Sequence, residues 1–189
     1  MGSTPELGSD ATVLAHPATT AQMREPYVFM EGVSMPPKPA TALADIEISR
    51  DTTFVFNGQE IVVVPTEAHT PGDLSVYFTR SRVAHFGDIY LAGNPMMYPG
   101  TEDPDGFLDR LDAFLASMDP ETVVVGGHEE PADLAAVREQ IAQSRACMTF
   151  VRESIVEGLT IEETAQRGLG RFPAQWVAFF HQLFTRAGA

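Results

Sequence analysis

Cysteine and basic residues are scarce in this chain, and long apolar runs are missing from it. Cys147 is the only cysteine, so an internal disulfide is impossible, which favours a reducing compartment, the cytoplasm. Lysine and arginine total 12 against 26 acidic residues, a formal net charge of −14. This charge argues against nucleic acid and anionic membranes as partners. Without an apolar run of about 18 residues or an apolar signal core, we expect no membrane span and no signal peptide.

The length and composition are those of a folded globular protein. The 189 residues suffice for one domain with a substantial core, and 44% of them are apolar. We expect one α/β domain over residues 1–189, with a helical C-terminal region over residues 130–189. Cys147 lies within a helical pattern, where a packed thiol is far more common than a nucleophile.

Turn residues and apolar spacing divide the chain into strands, helices and two long loops. Strands are predicted at residues 11–15, 52–56, 60–64, 74–79, 82–86 and 123–125. The Asn57-Gly58 pair between the second and third of these is the strongest hairpin signal. Helices are predicted at 19–24, after Asp103-Pro104, from about 131 to 157, after Thr160 and after Pro173. The stretches 25–44 and 91–106, rich in proline and methionine, are predicted to be irregular loops covering a core or a pocket.

Three apolar segments lead into residues of the types that bind metals. The segment 61–64 precedes His69, and two later strands lead to Asp88 and His128. If these strands share a buried sheet, the three side chains converge at one end of it. Two neutral imidazoles and one carboxylate suit zinc, iron or manganese. Each residue alone has an ordinary interpretation, a hydrogen-bonded histidine or a turn-capping aspartate, so the prediction of a metal site rests on the combination.

The motifs around these residues resemble those of the metallo-β-lactamase superfamily. Residues 68–74, Ala-His-Thr-Pro-Gly-Asp-Leu, resemble its third ligand motif, and residues 85–88, His-Phe-Gly-Asp, its strand ending in Gly-Asp. Residues 126–128, Gly-Gly-His, resemble its last motif. The strand before His16-Pro17 resembles a family strand whose histidine is normally not a ligand. The resemblance covers roughly residues 6–150 and implies a metallo-β-lactamase-like αββα sandwich.

One family signature is absent, and its absence shapes the expected site. The motif His-x-His-x-Asp-His is not found, because no two of the five histidines lie two residues apart. The resemblance therefore implies a sandwich truncated to roughly its C-terminal half, with extra C-terminal helices. It also implies that His69 serves one metal, His128 a second, and that Asp88 bridges them and holds the catalytic nucleophile. Because three such ligands hardly hold two ions, we expect one ion, zinc with iron or manganese as alternatives, or none.

The resemblance implies a function and a set of partners. Relatives with the complete site hydrolyse esters, lactones, lactams or phosphodiesters by metal-bound hydroxide. We therefore expect a metal-dependent hydrolase of a small molecule, active only when a partner or alternative ligands complete the site. A non-catalytic dimeric homologue and an excised fragment of a larger hydrolase are the alternatives. Because half a sandwich leaves an apolar sheet face bare, we expect a homodimer or a complementary chain supplying the missing half.

Four side chains are candidates for lining a substrate pocket. Tyr90, Met96, Met97 and Tyr98 lie in or beside the second predicted loop, and the two tyrosines could donate hydrogen bonds to a substrate. Ordinary core cover is the alternative interpretation of these apolar loop residues.

Overall fold

The computed structural model describes residues 8, 10–30, 32–91, 93–97 and 101–186. The chain divides into two compact units, Met1–Ser81 and Arg82–Ala189. Strands of the first unit are β1 Leu14–Ala15, β2 Tyr27–Met30, β3 Val33–Met35, β4 Ile46–Glu47, β5 Thr52–Phe56, β6 Gln59–Pro65 and β7 Leu74–Phe78, and its helix is α1 Pro17–Arg24. The second unit contains β8 Val83–Gly87, α2 Pro104–Ala116, β9 Val123–Gly126, β10 Ala132–Asp133, α3 Leu134–Val156, α4 Ile161–Arg167 and α5 Ala174–Arg186. The structure is mixed α/β, as the sequence predicts.

An antiparallel meander of β5, β6 and β7 builds the core of the first unit. Asn57 and Gly58 both have positive φ, +51° and +69°, as a tight type I′ turn requires, so the predicted hairpin is confirmed. Ile61 and Val63 of β6 are buried and pack with Ile48, while the residues between and after them along β6 are only half-buried. Residues 61–64 of β6 are all apolar, but their burial alternates with the pleat of the strand, so the side of Ile61 and Val63 is the core face of this meander.

The proline-rich stretch 25–44 is more regular than predicted. β2 and β3 pair antiparallel, with Tyr27 opposite Met35, so the prediction of a loop throughout was wrong. Pro26 precedes the hairpin and Pro36 follows it, and neither position requires a proline N–H in the strand ladder. The prolines therefore bound the hairpin instead of preventing it.

A β–α–β unit forms the start of the second unit. β8 and β9 run parallel, with Ala84 opposite Val124, and α2 connects them. The Asp103 carboxylate accepts a hydrogen bond from the Gly106 N–H at 2.9 Å and caps α2, as predicted. One face of α2 is buried, and its Phe114 ring stacks on Phe86 of β8 at a centroid distance of 6.0 Å.

The predicted long helix begins three residues later than expected. Ala132 and Asp133 pair antiparallel with β9, and the Asp133 carboxylate then caps α3 by accepting the Ala136 N–H at 2.8 Å. The helix ends at the predicted glycine, Gly158, whose φ is +79°. Gly158 N–H donates to the Ile155 carbonyl at 2.9 Å, completing the usual glycine stop signal.

The helices after residue 133 pack on one another. α5 buries Trp176, Val177 and Phe180 and contacts α3 and α4. Thr160 and Glu163 form the predicted capping box of α4. Cys147 of α3 is fully buried, and burial raises the pKa of its thiol to about 12, so the expectation of a packed cysteine is confirmed. That one domain covers the whole chain, with a helical region from residue 130, stays a prediction.

Candidate metal centre

The carboxyl ends of β8 and β9 bring two of the three predicted ligands together. Asp88 directly follows β8, and His128 comes two residues after β9. The distance from Asp88 Oδ1 to His128 Nε2 is 3.4 Å. The Asp88 side chain is 37% exposed and that of His128 is 70% exposed, so an ion or substrate from solution can reach both. Parallel strands end at the same edge, and this explains the convergence.

Glycines make this close approach possible. Gly127 N–H donates to the Gly87 carbonyl at 2.8 Å, which joins the two strand ends. A Cβ at Gly127 would overlap the Asp88 carboxylate, and one at Gly126 would overlap the Tyr90 carbonyl oxygen. The Gly-Gly-His motif is therefore required here by backbone-to-side-chain packing. The motif is visible in the sequence, but this reason for it is not, since the clash is with residues almost 40 positions away.

His69 lies in the first unit, in the loop between β6 and β7. The carboxylate of Asp73 accepts hydrogen bonds from the His69 N–H at 2.5 Å and the Thr70 N–H at 2.7 Å. It also accepts one from the Thr70 hydroxyl at 2.6 Å. The loop backbone at His69 is thus held in place by one aspartate, while the His69 side chain is exposed. This role of Asp73 was not predicted, although the Thr-Pro-Gly-Asp sequence of residues 70–73 is typical of a turn in which an aspartate accepts backbone hydrogen bonds.

Helix α1 supports the same loop. The Thr19 hydroxyl donates to the Gly72 carbonyl at 3.0 Å, and a Cβ at Gly72 would overlap that hydroxyl. His16 is the N-cap of α1: its Nδ1 accepts the Ala18 N–H at 3.2 Å. Its Nε2 lies 3.7 Å from Glu67 Oε1. Within the first unit, His16 therefore has a structural role at a helix end.

The predicted pocket residues are buried in the second unit. Tyr90, Met96 and Met97 are at most 7% exposed, and Tyr98 lies outside the described residues. The segment is held by α3, where the Gln140 amide donates to the carbonyls of residues 91 and 94 at 3.0 and 2.7 Å. Burial and then the negative charges of Glu129 and Asp133 raise the pKa of Tyr90. Such burial is expected if these residues only cover the core, which is the alternative interpretation of this loop. That they line a substrate pocket stays a prediction.

The donor chemistry fits a single transition-metal ion. Among the residues that the structure describes, no three His, Cys, Asp or Glu side chains are placed to hold a metal ion. Asp88 and His128 form a pair of donors in the second unit, and His69 is offered by the first. A carboxylate oxygen and imidazole nitrogens are ligands for zinc, iron and manganese. Asp88 and His128 thus supply one carboxylate and one imidazole, two of the three donor types of a 2-His-1-carboxylate site.

Comparison with known proteins supports the fold. BLEG-1 B3 metallo-beta-lactamase has a TM-score of 0.56 and 16% identity, over 72% of this chain and 66% of that chain. ST1585 from Sulfolobus tokodaii, an archaeal superfamily protein, has a TM-score of 0.56 and 18% identity, over 76% of this chain and 62% of that one. TTHA1623, solved in a di-iron-bound form, has a TM-score of 0.55 and 22% identity, over 74% and 69%. No curated protein matches the chain.

These likenesses confirm the predicted metallo-β-lactamase-like α/β fold, and at identities below 25% they show the fold alone. The chain spans 66% of the first structure and 62% of the second, so it is shorter than both. No helix in the described residues is long and apolar enough to cross a membrane. The model of the family described as the metallo-beta-lactamase superfamily matches residues 8–128, well over half of the sequence. The chain belongs to the metallo-beta-lactamase superfamily.

Proposed function

We propose that this chain is a metal-dependent hydrolase homologue whose centre consists of His69, Asp88 and His128 and holds one metal ion. The observation that carries the proposal is the Asp88 carboxylate beside the His128 imidazole, 3.4 Å apart at the ends of two parallel strands. His69 is assigned by its sequence motif and by family membership. Zinc is the proposed ion, with manganese and iron as alternatives, and the di-iron form of TTHA1623 supports iron.

The roles of the three residues follow from their chemistry. When bound, the ion supplies Lewis acidity that polarises a carbonyl or phosphoryl oxygen and acidifies water. The imidazole nitrogens of His69 and His128 hold the ion. Asp88 is the catalytic residue: its partly exposed carboxylate accepts a hydrogen bond from the attacking water and orients it toward the substrate. The hydrogen bonds that the Asp73 carboxylate accepts from the His69 and Thr70 N–H groups fix the backbone at His69 before a metal arrives, which lowers the entropic cost of binding.

The substrate is proposed to be a small molecule with an ester, lactone, lactam or phosphodiester bond. Three donors are fewer than the family's complete metal site has, because the His-x-His-x-Asp-His motif is absent. Activity is therefore proposed to require a partner or alternative ligands that complete the metal site. A non-catalytic homologue that holds one ion, and an excised piece of a larger hydrolase, are the other candidate functions. The single buried cysteine is consistent with a cytoplasmic location, which we also propose.

Metal content tests the centre. After equilibrium dialysis against zinc, iron or manganese, we expect about one ion per chain, and at least a tenfold weaker affinity in His69→Ala, Asp88→Asn and His128→Ala. His85→Ala is the matched control, since His85 is an exposed histidine on β8 that the proposal leaves out of the site. Background metal content in the wild-type protein would contradict the proposal. Metal binding without hydrolysis of any ester, lactone, lactam or phosphodiester would favour the non-catalytic homologue.

We also propose that a complementary polypeptide covers an apolar groove of the first unit. The groove has a volume of about 1060 Å³ and lies between the β1–β4 pair and the β5–β6 hairpin. Its apolar lining consists of Leu14, Ile46, Ile48, Phe54, Phe56 and Ile61. A second copy, the other candidate, would bring net charges of −14 together, whereas a partner of opposite charge would be attracted.

Solution mass distinguishes the two occupants. With a complementary chain as the occupant, light scattering should give a monomer at both about 50 mM and about 500 mM salt. A dimer that strengthens with salt and is disrupted by Phe56→Lys would instead identify the second copy as the occupant.

A further inference from the structure

A cleft of the second unit lies between α3 and the segment that joins α4 to α5. Its volume is about 390 Å³, which is within the range of small-ligand sites. One side is a face of α3 with Glu139, Gln143 and two alanines. Arg171, Phe172 and Trp176 line the other side. None of these residues is a candidate metal ligand, so the proposed function leaves the cleft unexplained.

The side opposite α3 is held in place by contacts within the second unit. The N–H groups of residues 171 and 172 donate to the Gly168 carbonyl at 2.9 and 3.0 Å. The Trp176 indole N–H donates to the Gly93 carbonyl at 2.6 Å. The cleft is therefore formed before a ligand arrives, which lowers the entropic cost of binding.

The Arg171 guanidinium is a positive charge at one end of the cleft. Its Cζ lies 4.8 Å from the centroid of the Phe172 ring and 5.7 Å from that of the Phe150 ring. Among the residues that the structure describes, no carboxylate lies within ion-pair distance of Arg171. Four other arginines of this unit do pair with carboxylates: Arg82, Arg145, Arg152 and Arg167. The two rings thus orient the Arg171 fork, and its N–H donors remain for a ligand.

A negative charge lies toward the other end of the cleft. The Gln143 amide donates to Glu139 Oε1 at 3.3 Å, which holds this carboxylate on the cleft face of α3. Glu139 and Phe150 are about 16 Å apart along the axis of α3. With the guanidinium within about 6 Å of the Phe150 ring, the two protein charges are roughly 10–16 Å apart. After about 3 Å for a contact at each end, a ligand's own charges must be about 4–10 Å apart, the span of an extended peptide of two or three residues.

We propose that this cleft binds a short apolar peptide of two or three residues whose termini are both free. Its C-terminal carboxylate accepts hydrogen bonds from the planar fork of Arg171, and its N-terminal ammonium faces Glu139. Its apolar side chains lie against the Phe172 ring and the alanines of α3. Such a ligand has no net charge, so the formal net charge of −14 does not repel it as it would repel a simple anion. The inference does not depend on the proposed metal centre.

Four forms of one peptide test both ends of the assignment. The tripeptide Ala-Leu-Ala is compared in its free, N-acetylated, C-amidated and doubly capped forms. Binding is followed by the amide resonances of Arg171 and Phe172 and by the indole N–H of Trp176, the only tryptophan of the chain. Amidation should weaken binding about three- to tenfold and acetylation about two- to fivefold, since the first removes a bidentate pair and the second an exposed single one.

The outcomes that contradict the inference are equally defined. Absence of binding of the free peptide up to about 10 mM would overturn it, and so would equal affinity of the free and doubly capped forms. If the N-acetylated form binds as tightly as the free one, the cleft recognises the C-terminal tail of a longer chain, and the assignment to a short free peptide is wrong.

Charge variants assign each effect to a residue. Arg171→Gln should reduce the effect of amidation below about twofold, and Glu139→Gln should do the same for acetylation. Arg167→Gln and Glu162→Gln make the same charge changes at exposed positions of α4, outside the cleft, and should leave both ratios unchanged. Each ratio compares peptides on the same variant, so a general loss of stability does not alter it. Equal effects of the α4 variants and the cleft variants would attribute the ratios to net charge and overturn the inference.

Discussion

Gly127→Ala is expected to weaken metal binding at least about tenfold, while lowering the free energy of unfolding only modestly. A Cβ at this position overlaps Asp88 Oδ1 and comes within 3.3 Å of the Asp88 N atom. The carboxylate can rotate away at a cost of about 0.5–1.5 kcal/mol, and crowding of the backbone adds to this. We therefore expect the free energy of unfolding to fall by about 1–2 kcal/mol. For a chain of this length that lowers Tm by about 2–8 °C.

The same rotation moves the proposed ligand Asp88 out of the centre. Changes that only misorient a metal ligand already cost about 10–100-fold in affinity, so displacing Asp88 should cost at least about tenfold. A tenfold weaker Kd reduces the stabilisation by saturating metal by about 1.4 kcal/mol. The rise of Tm on adding metal should therefore shrink by about 3–6 °C relative to the wild-type protein.

The neighbouring glycine is the control. Gly126→Ala overlaps the Tyr90 carbonyl oxygen, a backbone atom that cannot rotate away, and the added Cβ does not meet Asp88. It should destabilise the fold at least as much but change the metal Kd less than about threefold. Calorimetric titration with zinc and thermal unfolding by circular dichroism, with and without metal, measure both quantities. If Gly127→Ala binds zinc as tightly as Gly126→Ala, Asp88 is not a ligand and the assignment fails.

Three further predictions concern the helices of the second unit. Cys147 is buried and its thiol pKa is raised to about 12, so iodoacetamide at pH 8 should label it only after denaturation; labelling of the native protein would contradict the packing. Thr160→Ala removes one half of a capping box and should lower the free energy of unfolding by about 1 kcal/mol in urea titrations, with no effect on metal affinity. The hydrogen bond from Arg152 lowers the pKa of Asp105, so this pair stabilises the fold above the unfolded carboxyl pKa, and the contribution is lost as pH falls through the folded value. Arg152→Gln should therefore cost less than about 1 kcal/mol more at pH 6 than at low pH, since both side chains are about half exposed. The loss of the Arg152 guanidinium from the Phe184 ring, 4.3 Å away, is the same at both pH values. Equal total losses at both pH values would refute the ion-pair explanation.

Turns and helix caps were predicted correctly where they depend on contacts between residues close together in the sequence. The Asn57-Gly58 turn, the Asp103 cap and the Thr160 capping box depend on contacts within about four residues, and all are confirmed. The hairpin of residues 27–35 was missed because proline content was given more weight than the apolar run between the prolines. The start of α3 was predicted three residues too early because Ala132 and Asp133 pair with β9. Helix propensity takes no account of pairing with a distant strand.

For the candidate site, too, the sequence predicts the identity of the residues but not their geometry. His69, Asp88 and His128 could be selected from residue type, strand-end position and resemblance to family motifs. The 3.4 Å approach of Asp88 to His128 could not be predicted in detail, because it depends on the register between β8 and β9 and on the hydrogen bond from Gly127 to Gly87. Gln140 was also missed, since a buried glutamine that holds a loop 46 residues earlier leaves no local pattern.

The amino-acid sequence by itself determined the α/β class, the turns and caps, the excess of negative charge and the identity of the candidate ligands, because each depends on residue chemistry or on neighbours along the chain. Tertiary structure decided which side chains meet. It placed a carboxylate beside an imidazole at the ends of parallel strands, required glycine at residues 126 and 127, and buried Tyr90. The physical reason is that strand register and close packing join residues far apart in sequence, and such contacts leave no trace in local periodicity.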